Sequence, residues 1–487
     1  MTISSKQLIR NITSITCAYV GRKALTFIYF TLIARYSGVE VTGAYFLLVS
    51  FAAVITSFLD FGFSNTLIRE ASKAPEKLAF YLNNILTAKI FLSALAIVAG
   101  TFILIFFDYS LRIKILVAML VATMIFETFA ETFFSCARVR HHMKTEAQTL
   151  VIGQFITLMV GGLSLWLYPS LYLLILALLL NQMCHFFRSY YLVVHTLSLP
   201  LQLSFDKTTF ISLTKIAIPF HIAVLFEQIL YADAFILKYL TEDRIVGLFG
   251  VSHALINAFR FIPIVLGLAI FPALSSFHAF SPSKFKKLFQ GFYTVLLSLV
   301  APLAIFLLLF SSEAIDLLFG EKYIESSRTL QILALSLLPL FLSYPFSKLL
   351  DACNKQLLNA TLKGISLVIH LTLTVVLIPS FGAVGIALSC LLSYTFLFLA
   401  SMHYGSKMLP HVYSFCFKNM LYVMLASCFM GYCLFILKLF LHPFVLIPFG
   451  FFLYISSLIL LRGMTRSGFN KDEAYREWLL LAKRALR

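Results

Sequence analysis

The sequence predicts an all-α polytopic membrane protein, and three observations support that prediction. Of the 487 residues, 60% are hydrophobic and 12% are charged, whereas soluble proteins lie nearer one half and one quarter. Long apolar runs recur along the whole chain in place of the alternating pattern that builds soluble domains. The basic residues gather in short connections between those runs. We therefore expect one membrane-embedded body.

The apolar runs define the predicted elements in order. A transmembrane helix needs about 20 mostly apolar residues, and this criterion predicts about fourteen spans. Six precede a polar stretch: Asn11–Ala34, Gly43–Phe63, Leu82–Phe106, Leu111–Cys136, Ala147–Tyr168 and Leu171–Val193. Six follow it: Ile211–Leu237, Ile245–Leu268, Leu288–Phe310, Leu330–Leu350, Leu357–Ile378 and Ala383–Met402. Two more precede the carboxyl-terminal tail: Phe417–Leu437 and Phe444–Leu461.

The distribution of Lys and Arg predicts the orientation. With the amino terminus in the cytoplasm, 24 of the 38 basic residues fall on the cytoplasmic side, eight on the opposite side and six within spans. We therefore expect both termini to be cytoplasmic. The net charge of +17 is explained by this asymmetry, and since no basic stripe accompanies it, we expect no nucleic-acid partner. The eight scattered cysteines form no CxxC pair, so we expect no metal and no cofactor.

A weak internal repeat predicts how the spans are grouped. The segment 32–36 followed by Gly43 recurs about 200 residues later as 235–239 followed by Gly247. This repeat predicts an N-lobe at 1–197, a cytoplasmic linker at 198–210 and a C-lobe at 211–405, each lobe with six helices. Residues 406–461 then supply two further spans. The basic tail 462–487 is predicted to be an amphipathic helix on anionic lipid, with a regulatory or partner-binding role as the alternative.

Several short motifs, in order along most of the chain, resemble the polysaccharide transporters of the multidrug/oligosaccharidyl-lipid/polysaccharide (MOP) exporter superfamily, the Wzx-type repeat-unit flippases. The matching residues are Ala34, Arg35, Tyr36, Gly38, Glu40, Gly43 and Tyr45; Asp60, Phe61, Gly62, Leu67, Ile68, Arg69 and Glu70; Asp233, Gly247 and Phe249; Phe271 to Ser275; Gly320, Tyr323, Leu330, Ile332 and Leu333; and Pro379, Gly382, Ala383, Gly385 and Ala387. Where the family usually has a tyrosine, this chain has Phe249.

The resemblance implies two lobes around a central cavity, alternating access and a lipid-linked oligosaccharide as cargo. The expected substrate is an undecaprenyl-diphosphate-linked repeat unit of O-antigen, capsule or exopolysaccharide, flipped from the cytoplasmic to the outer leaflet. The expected location is the bacterial cytoplasmic (inner) membrane. Expected partners are membrane lipids and the polysaccharide polymerase and chain-length machinery.

Cations within spans are the candidate ligands for the diphosphate head group, because a charge in the bilayer costs about 2.5 to 3.5 kcal/mol unless it meets water, a partner or a ligand. Arg22 and Lys23 are neighbours in the first span, and Arg260 follows Asn257 by one helical turn. For both arginines the alternative is an ion pair inside the bundle. Lys89 is a further candidate, and its alternative is to reach the cytoplasmic surface with its long side chain.

Carboxylates within or at the ends of spans are the candidates for ion coupling. Glu227 is the first choice, followed by Asp233, Asp60 and Glu127. The alternative for Glu227 is a structural ion pair with Arg260 or Arg22. For Asp233 it is a role at a helix end.

Two rival functions belong to other classes. A small-molecule exporter of the same superfamily has the same fold and is expected to have fewer cavity cations. A membrane polymerase or ligase of the glycan pathway is expected to have a large outer loop with catalytic residues. The longest predicted outer connection, 311–329, is short and contains no recognised catalytic motif, so the sequence favours a transporter over an enzyme.

Overall fold

The computed structural model describes residues 5–106, 111–140, 142–168, 170–228, 233–409, 411–438, 440, 449–450 and 452–459. The regular structure of these residues is helical. The α-helices are α1 Ser5–Tyr36, α2 Val39–Asp60, α3 Phe63–Lys73, α4 Leu78–Phe106, α5 Leu111–Val139, α6 Met143–Leu167, α7 Leu171–Tyr191, α8 Lys207–Gln228, α9 Asp233–Leu240, α10 Asp243–Phe280, α11 Pro282–Leu309, α12 Ser311–Phe319, α13 Ser326–Ala352, α14 Gln356–Phe381, α15 Ala383–Ser406 and α16 Val412–Leu437.

Within the described residues, eleven helical stretches are long and apolar enough to cross a membrane. They correspond to eleven of the predicted spans, and the all-α polytopic membrane fold is confirmed. The other three predicted spans are the first, the seventh and the last. The first is helical as α1, but it contains Arg22 and Lys23. The seventh is covered by α8 and the start of α9, with 229–232 outside the described residues. Of the last predicted span, Phe444–Leu461, the structure describes 449–450 and 452–459, and the whole tail 462–487 lies outside the described residues.

The second predicted span is broken near its end. Helix α2 ends at Asp60 and α3 begins at Phe63, because Phe61 and Gly62 both adopt left-handed backbone conformations, with φ of 49° and 74°. A side chain at position 62 has no room, since a Cβ atom there would lie 2.6 Å from the backbone oxygen of Ala217 on α8. The break therefore depends on glycine and on close contact with α8.

Residues 198–206 of the predicted linker have no regular secondary structure and are fastened to α4, and its last four residues belong to α8. Asn83 donates to the carbonyl of Pro200 at 3.1 Å and accepts from the backbone N–H of Gln202 at 3.2 Å. The side-chain oxygen of Asn84 accepts from the backbone N–H of Asp206 at 2.8 Å. Because Asn83 and Asn84 satisfy backbone groups of an otherwise irregular segment, they determine where α8 begins.

The chain divides into two compact units, Met1–Lys238 and Tyr239–Arg487. In the first unit α1 packs on α6, α5 and α6 pack on α7, and α8 packs on α2, α3 and α4. In the second unit α13 is the central helix and contacts α10, α11 and α15, with Phe289, Tyr293 and Phe346 at the core. The boundary near Lys238 groups α8 with the preceding helices, whereas the sequence repeat groups it with the following ones. The lobe boundaries given above stay a prediction.

The outer connection 311–329 is largely helical, because Ser311–Phe319 forms α12 and Glu321–Tyr323 a 3-10 turn. Helix α10 runs from Asp243 to Phe280 and includes Asn257, Arg260 and Pro263.

Candidate functional site

A buried ion pair lies at the break between α2 and α3. The Lys89 ammonium of α4 lies 2.5 Å from Oδ1 of Asp60. The same nitrogen donates to the backbone oxygen and the hydroxyl of Thr128 on α5, both at 3.0 Å, and to the Ser64 hydroxyl of α3 at 3.3 Å. Ser64 also donates to Asp60. Two residues that the sequence proposes for different roles are thus partners of each other.

The surroundings of Lys89 leave its ammonium group little capacity for other ligands. An ammonium group has three N–H donors, and four oxygen atoms already lie within hydrogen-bonding distance of it. The side chain is 0% exposed, so it does not reach the cytoplasmic surface. In this conformation Lys89 has no donor to offer a diphosphate, and its role as a head-group ligand stays a prediction.

A buried histidine of α8 lies next to this pair. His221 of α8 stacks on Phe61, with ring centroids 4.6 Å apart, and packs edge-on against Phe58 at 5.3 Å. It is buried, and its Nδ1 atom has no hydrogen-bond partner among the described residues. Its place at the helix break could not be read from the sequence, because 160 residues of chain separate it from Phe61.

Arg22 of α1 is a contrasting intramembrane cation. Its side chain is half-buried, and within the described part of the chain its guanidinium group forms no hydrogen bond and no ion pair. Glu127 of α5 lies within electrostatic range, with Thr56 of α2 and Gln182 of α7 beside it. Arg22 thus interacts electrostatically with Glu127 without a contact ion pair, and it has five N–H donors for an incoming anion. Both roles, head-group ligand and internal ion pair, stay predictions.

More polar atoms surround this region of the first unit. Asn181 Oδ1, Gln182 Oε1 and His185 Nε2 are buried and have no hydrogen-bond partner among the described residues, whereas Thr56 and Gln182 each form a side-chain hydrogen bond to Glu127. Buried polar groups are normally paired with protein or with ordered water. The arrangement beside Arg22 and Glu127 is therefore suited to holding water or a polar ligand. Lys23, the neighbour of Arg22, is exposed.

A second charged cluster, which sequence reasoning missed, joins α1, α5 and α6. Arg138 donates to Glu131 at 2.6 Å and to both oxygens of Glu146, at 2.5 and 3.1 Å. It also donates to the Tyr19 hydroxyl at 3.2 Å. The side chain of Glu146 is only 1% exposed, so Arg138 neutralises an otherwise isolated buried carboxylate. The seven-residue spacing of Glu131 and Arg138 places them on one face of α5 and weakly indicates their contact, whereas no sequence pattern indicates the contact with Tyr19.

In the second unit, Arg260 of α10 is half-buried and donates to the Tyr394 hydroxyl of α15 at 3.2 Å. Its guanidinium carbon lies 5.9 Å from the centre of the Tyr394 ring, which adds a cation–π contact. Asn257, also half-buried, lies one turn earlier on the same face of α10. The predicted pair is therefore held on one helical face beside an aromatic side chain.

The remaining candidates are placed as follows. The Glu227 side chain lies outside the described residues. Asp233 is buried in the first turn of α9. Lys215 of α8 and Lys363 of α14, two further basic residues within predicted spans, are both exposed. None of these placements decides between the roles proposed for them.

The family model described as "Polysaccharide biosynthesis protein" matches residues 8–278, which is more than half of the chain. The model "Lipid II flippase MurJ" matches residues 258–456. The chain is 25% identical over 203 residues to "Uncharacterized membrane protein MJ1068" of Methanocaldococcus jannaschii. It is 31% identical over 139 residues to "Probable low-salt glycan biosynthesis flippase Agl15" of Haloferax volcanii, and 28% identical over 161 residues to a Shigella flexneri protein named for O-antigen transport.

These relatives are matched over part of their length only. The aligned segments cover 41%, 28% and 33% of this chain and 39%, 29% and 38% of the three relatives. Their names therefore describe proteins of which this chain matches less than half.

Two solved structures show the fold over most of the chain. The inward closed conformation of the lipid II flippase MurJ is similar with a TM-score of 0.76 at 15% identity, over 93% of this chain and 99% of that one. An inward-facing multidrug resistance MATE transporter of the MOP superfamily is similar with a TM-score of 0.64 at 12% identity, over 81% of this chain and 96% of that one. The chain therefore belongs to the polysaccharide biosynthesis protein family, with the fold of MOP superfamily transporters.

Proposed function

We propose that this chain flips an undecaprenyl-diphosphate-linked oligosaccharide repeat unit, of O-antigen, capsule or exopolysaccharide, from the cytoplasmic to the outer leaflet by alternating access. The family match and the relatives named for glycan flipping and O-antigen transport support a glycan substrate. The observation that carries the proposal is the Arg22 guanidinium, a half-buried cation within a membrane helix that no described acid neutralises at contact distance.

The chemistry of the substrate matches that cation. A diphosphate presents several anionic oxygens, and a planar guanidinium binds such oxygens with two parallel hydrogen bonds. The prenyl chain stays in lipid, so only the sugar and the diphosphate need a polar path. Arg260 with Asn257 would supply a second contact, and Lys23 and Lys89 are the weaker candidates. An ion gradient would drive the cycle through Glu227, Asp233, Asp60 or Glu127.

The test is the fate of the lipid-linked intermediate in a deletion strain. We expect completed repeat units to accumulate on the cytoplasmic leaflet, where an impermeant oxidant or lectin does not reach them. Accumulation on the outer leaflet would instead indicate a later step, polymerisation or ligation, and would refute flipping.

Site variants test the head-group contacts. We expect Arg22→Ala and Arg260→Ala to abolish export at normal protein levels, while Lys215→Ala, which changes an exposed lysine of α8, leaves export unchanged. Normal export from both arginine variants would remove the head-group hypothesis.

A small-molecule exporter is the second candidate, favoured by the similarity of the fold to a multidrug resistance MATE transporter. It predicts that deletion raises drug sensitivity and leaves lipid-linked intermediates at wild-type levels. The flippase proposal predicts the reverse pattern.

The location and the partners belong to the same proposal. We place the chain in the bacterial inner membrane with both termini in the cytoplasm, as the distribution of basic residues favours. Fusions of alkaline phosphatase to either terminus should then be inactive and fusions of green fluorescent protein fluorescent. A polymerase and chain-length regulator should copurify if the chain works within their complex.

A further inference from the structure

The oxygen atoms around Lys89 have the composition of a cation site. They are one carboxylate oxygen from Asp60, two hydroxyls from Ser64 and Thr128, and the backbone carbonyl of Thr128. Carboxylate, carbonyl and hydroxyl oxygens together are the ligands that hard cations prefer in proteins. We call these four oxygens the oxygen cage.

The cage is built by the helix break. Asp60 is the last residue of α2 and Ser64 lies in the first turn of α3, so the two left-handed residues between them turn both side chains toward one point. Thr128 closes the cage from α5, where its hydroxyl lies beside its own backbone oxygen. Two of the four oxygens thus come from side chains at the helix break, and the other two come from Thr128 of the continuous helix α5.

The ammonium group supplies the positive charge at the centre of these four oxygens. Ser64 also donates to Asp60, and the Thr128 carbonyl also accepts from the Thr132 hydroxyl, so the main contribution of Lys89 is to neutralise the Asp60 carboxylate. The Lys89 side chain is 0% exposed, whereas the Asp60 side chain is 20% exposed.

We propose that the oxygen cage at the α2–α3 break is a monovalent-cation site whose resident cation is the Lys89 ammonium group, and that the cage binds Na⁺ once that side chain is shortened. The four-carbon stem makes Lys89 a tethered ion that cannot diffuse away. In the native chain the site consequently needs no free sodium ion. The proposal goes beyond glycan flipping and does not depend on it.

The test measures the thermal unfolding midpoint of the purified full-length protein in detergent, in NaCl and in choline chloride at equal concentrations. Lys89→Ala opens the cage, and Asp60→Asn with Lys89→Ala removes its charged ligand as well. Lys215→Ala is the matched control, because it removes an exposed lysine from the same unit. Variants are purified in each salt from the start.

We expect Lys89→Ala to have the lowest unfolding midpoint of these variants in choline chloride. As NaCl replaces choline chloride, its midpoint should rise by roughly 2 °C or more and then level off. The wild type, Lys215→Ala and the double variant should differ between the two salts by the same small amount as one another. A Lys89→Ala midpoint that is equal in both salts would overturn the proposal. So would an equal sodium response in the double variant, because the charged ligand of the cage is absent there.

Expression failure is also decisive. If Lys89→Ala is recovered in neither salt while the double variant is recovered in both, sodium does not replace the ammonium group and the proposal fails. If Lys89→Ala is recovered in NaCl alone, sodium is required for its folding and the proposal is supported. Because the readout is stability, these outcomes are separate from the outcome of the flipping assays.

Discussion

Lys89 and Arg22 are both cations within predicted spans of the first unit, yet their surroundings differ. Lys89 is fully buried and has four oxygen partners, including the Asp60 carboxylate. Arg22 is half-buried and has no hydrogen-bond or ion-pair partner in the described residues. A basic residue in a predicted span can therefore be paired within the helix bundle, as Lys89 is, or lack a contact partner in the described residues, as Arg22 does.

The largest effect on stability is expected when Lys89, the cation paired with Asp60, is removed. Lys89→Met leaves the Asp60 carboxylate without its ion-pair partner, which typically costs about 3 to 5 kcal/mol for a buried pair. Asp60→Asn combined with Lys89→Met should cost clearly less, because no isolated charge remains. Thermal unfolding in detergent measures both. If the double variant is as unstable as the single one, Lys89 contributes by packing and the comparison with Arg22 loses its basis.

The opposite pattern is expected at Arg22. Arg22→Ala should leave the unfolding midpoint close to that of the wild type and reduce substrate export about tenfold or more, since a hydrogen bond to a charged group contributes about 1.5 to 3 kcal/mol. Quantitative export assays with immunoblots of the variant provide both numbers, with Lys215→Ala as the control. A strongly lowered midpoint would show that Arg22, like Lys89, is structural.

The helix break beside Lys89 should be sensitive to a single methyl group. Gly62→Ala places a side chain at φ 74° and 2.6 Å from the Ala217 backbone oxygen, so we expect a loss of about 1 to 3 kcal/mol. Gly38→Ala is the matched control, because nothing lies within 4 Å of a Cβ atom there. Equal unfolding midpoints for Gly62→Ala and Gly38→Ala would show that the helix break accommodates a side chain at position 62.

The smallest effect is expected outside the spans, at the start of α8. Hydrogen bonds from Thr209 and Thr208 lower the pKa of Asp206 to about 2, against an ordinary value of 3.8. A lowered pKa means that the carboxylate stabilises the fold above about pH 4 and that this contribution fades as the pH falls toward 2. Asp206→Ala should therefore lower the unfolding midpoint slightly and equally at pH 7 and pH 5.

At pH 3 the midpoints of the wild type and Asp206→Ala should approach each other. Asp206→Asn, which keeps a side-chain acceptor, should lie between the two at neutral pH. A difference that grows on acidification would contradict the assigned cause, because it would mean that the protonated carboxyl is the stabilising form. The hydrogen bonds of Asp206 at the surface are therefore expected to stabilise the fold far less than the ion pair between Lys89 and Asp60 does.

The amino-acid sequence was sufficient to predict the all-α membrane fold, the eleven confirmed spans and the charges that lie within predicted spans. Hydrophobic run length and charge asymmetry are local properties of the chain, and the bilayer selects on both. The sequence also identified Asp60, Lys89, Arg22 and Glu127 as unusual, since ionised groups in lipid are costly wherever they occur.

Which of these charges has a partner depends on how the helices pack. Asp60 and Lys89 are 29 residues apart, and they meet because Phe61 and Gly62 break the helix against α8. Arg138 likewise meets Glu146 and Tyr19 only through the packing of three helices. Electrostatic pairing acts over a few ångströms in space, whereas sequence patterns report distance along the chain. A sequence can therefore show that a membrane charge needs a partner, but the packing of the helices determines whether it has one.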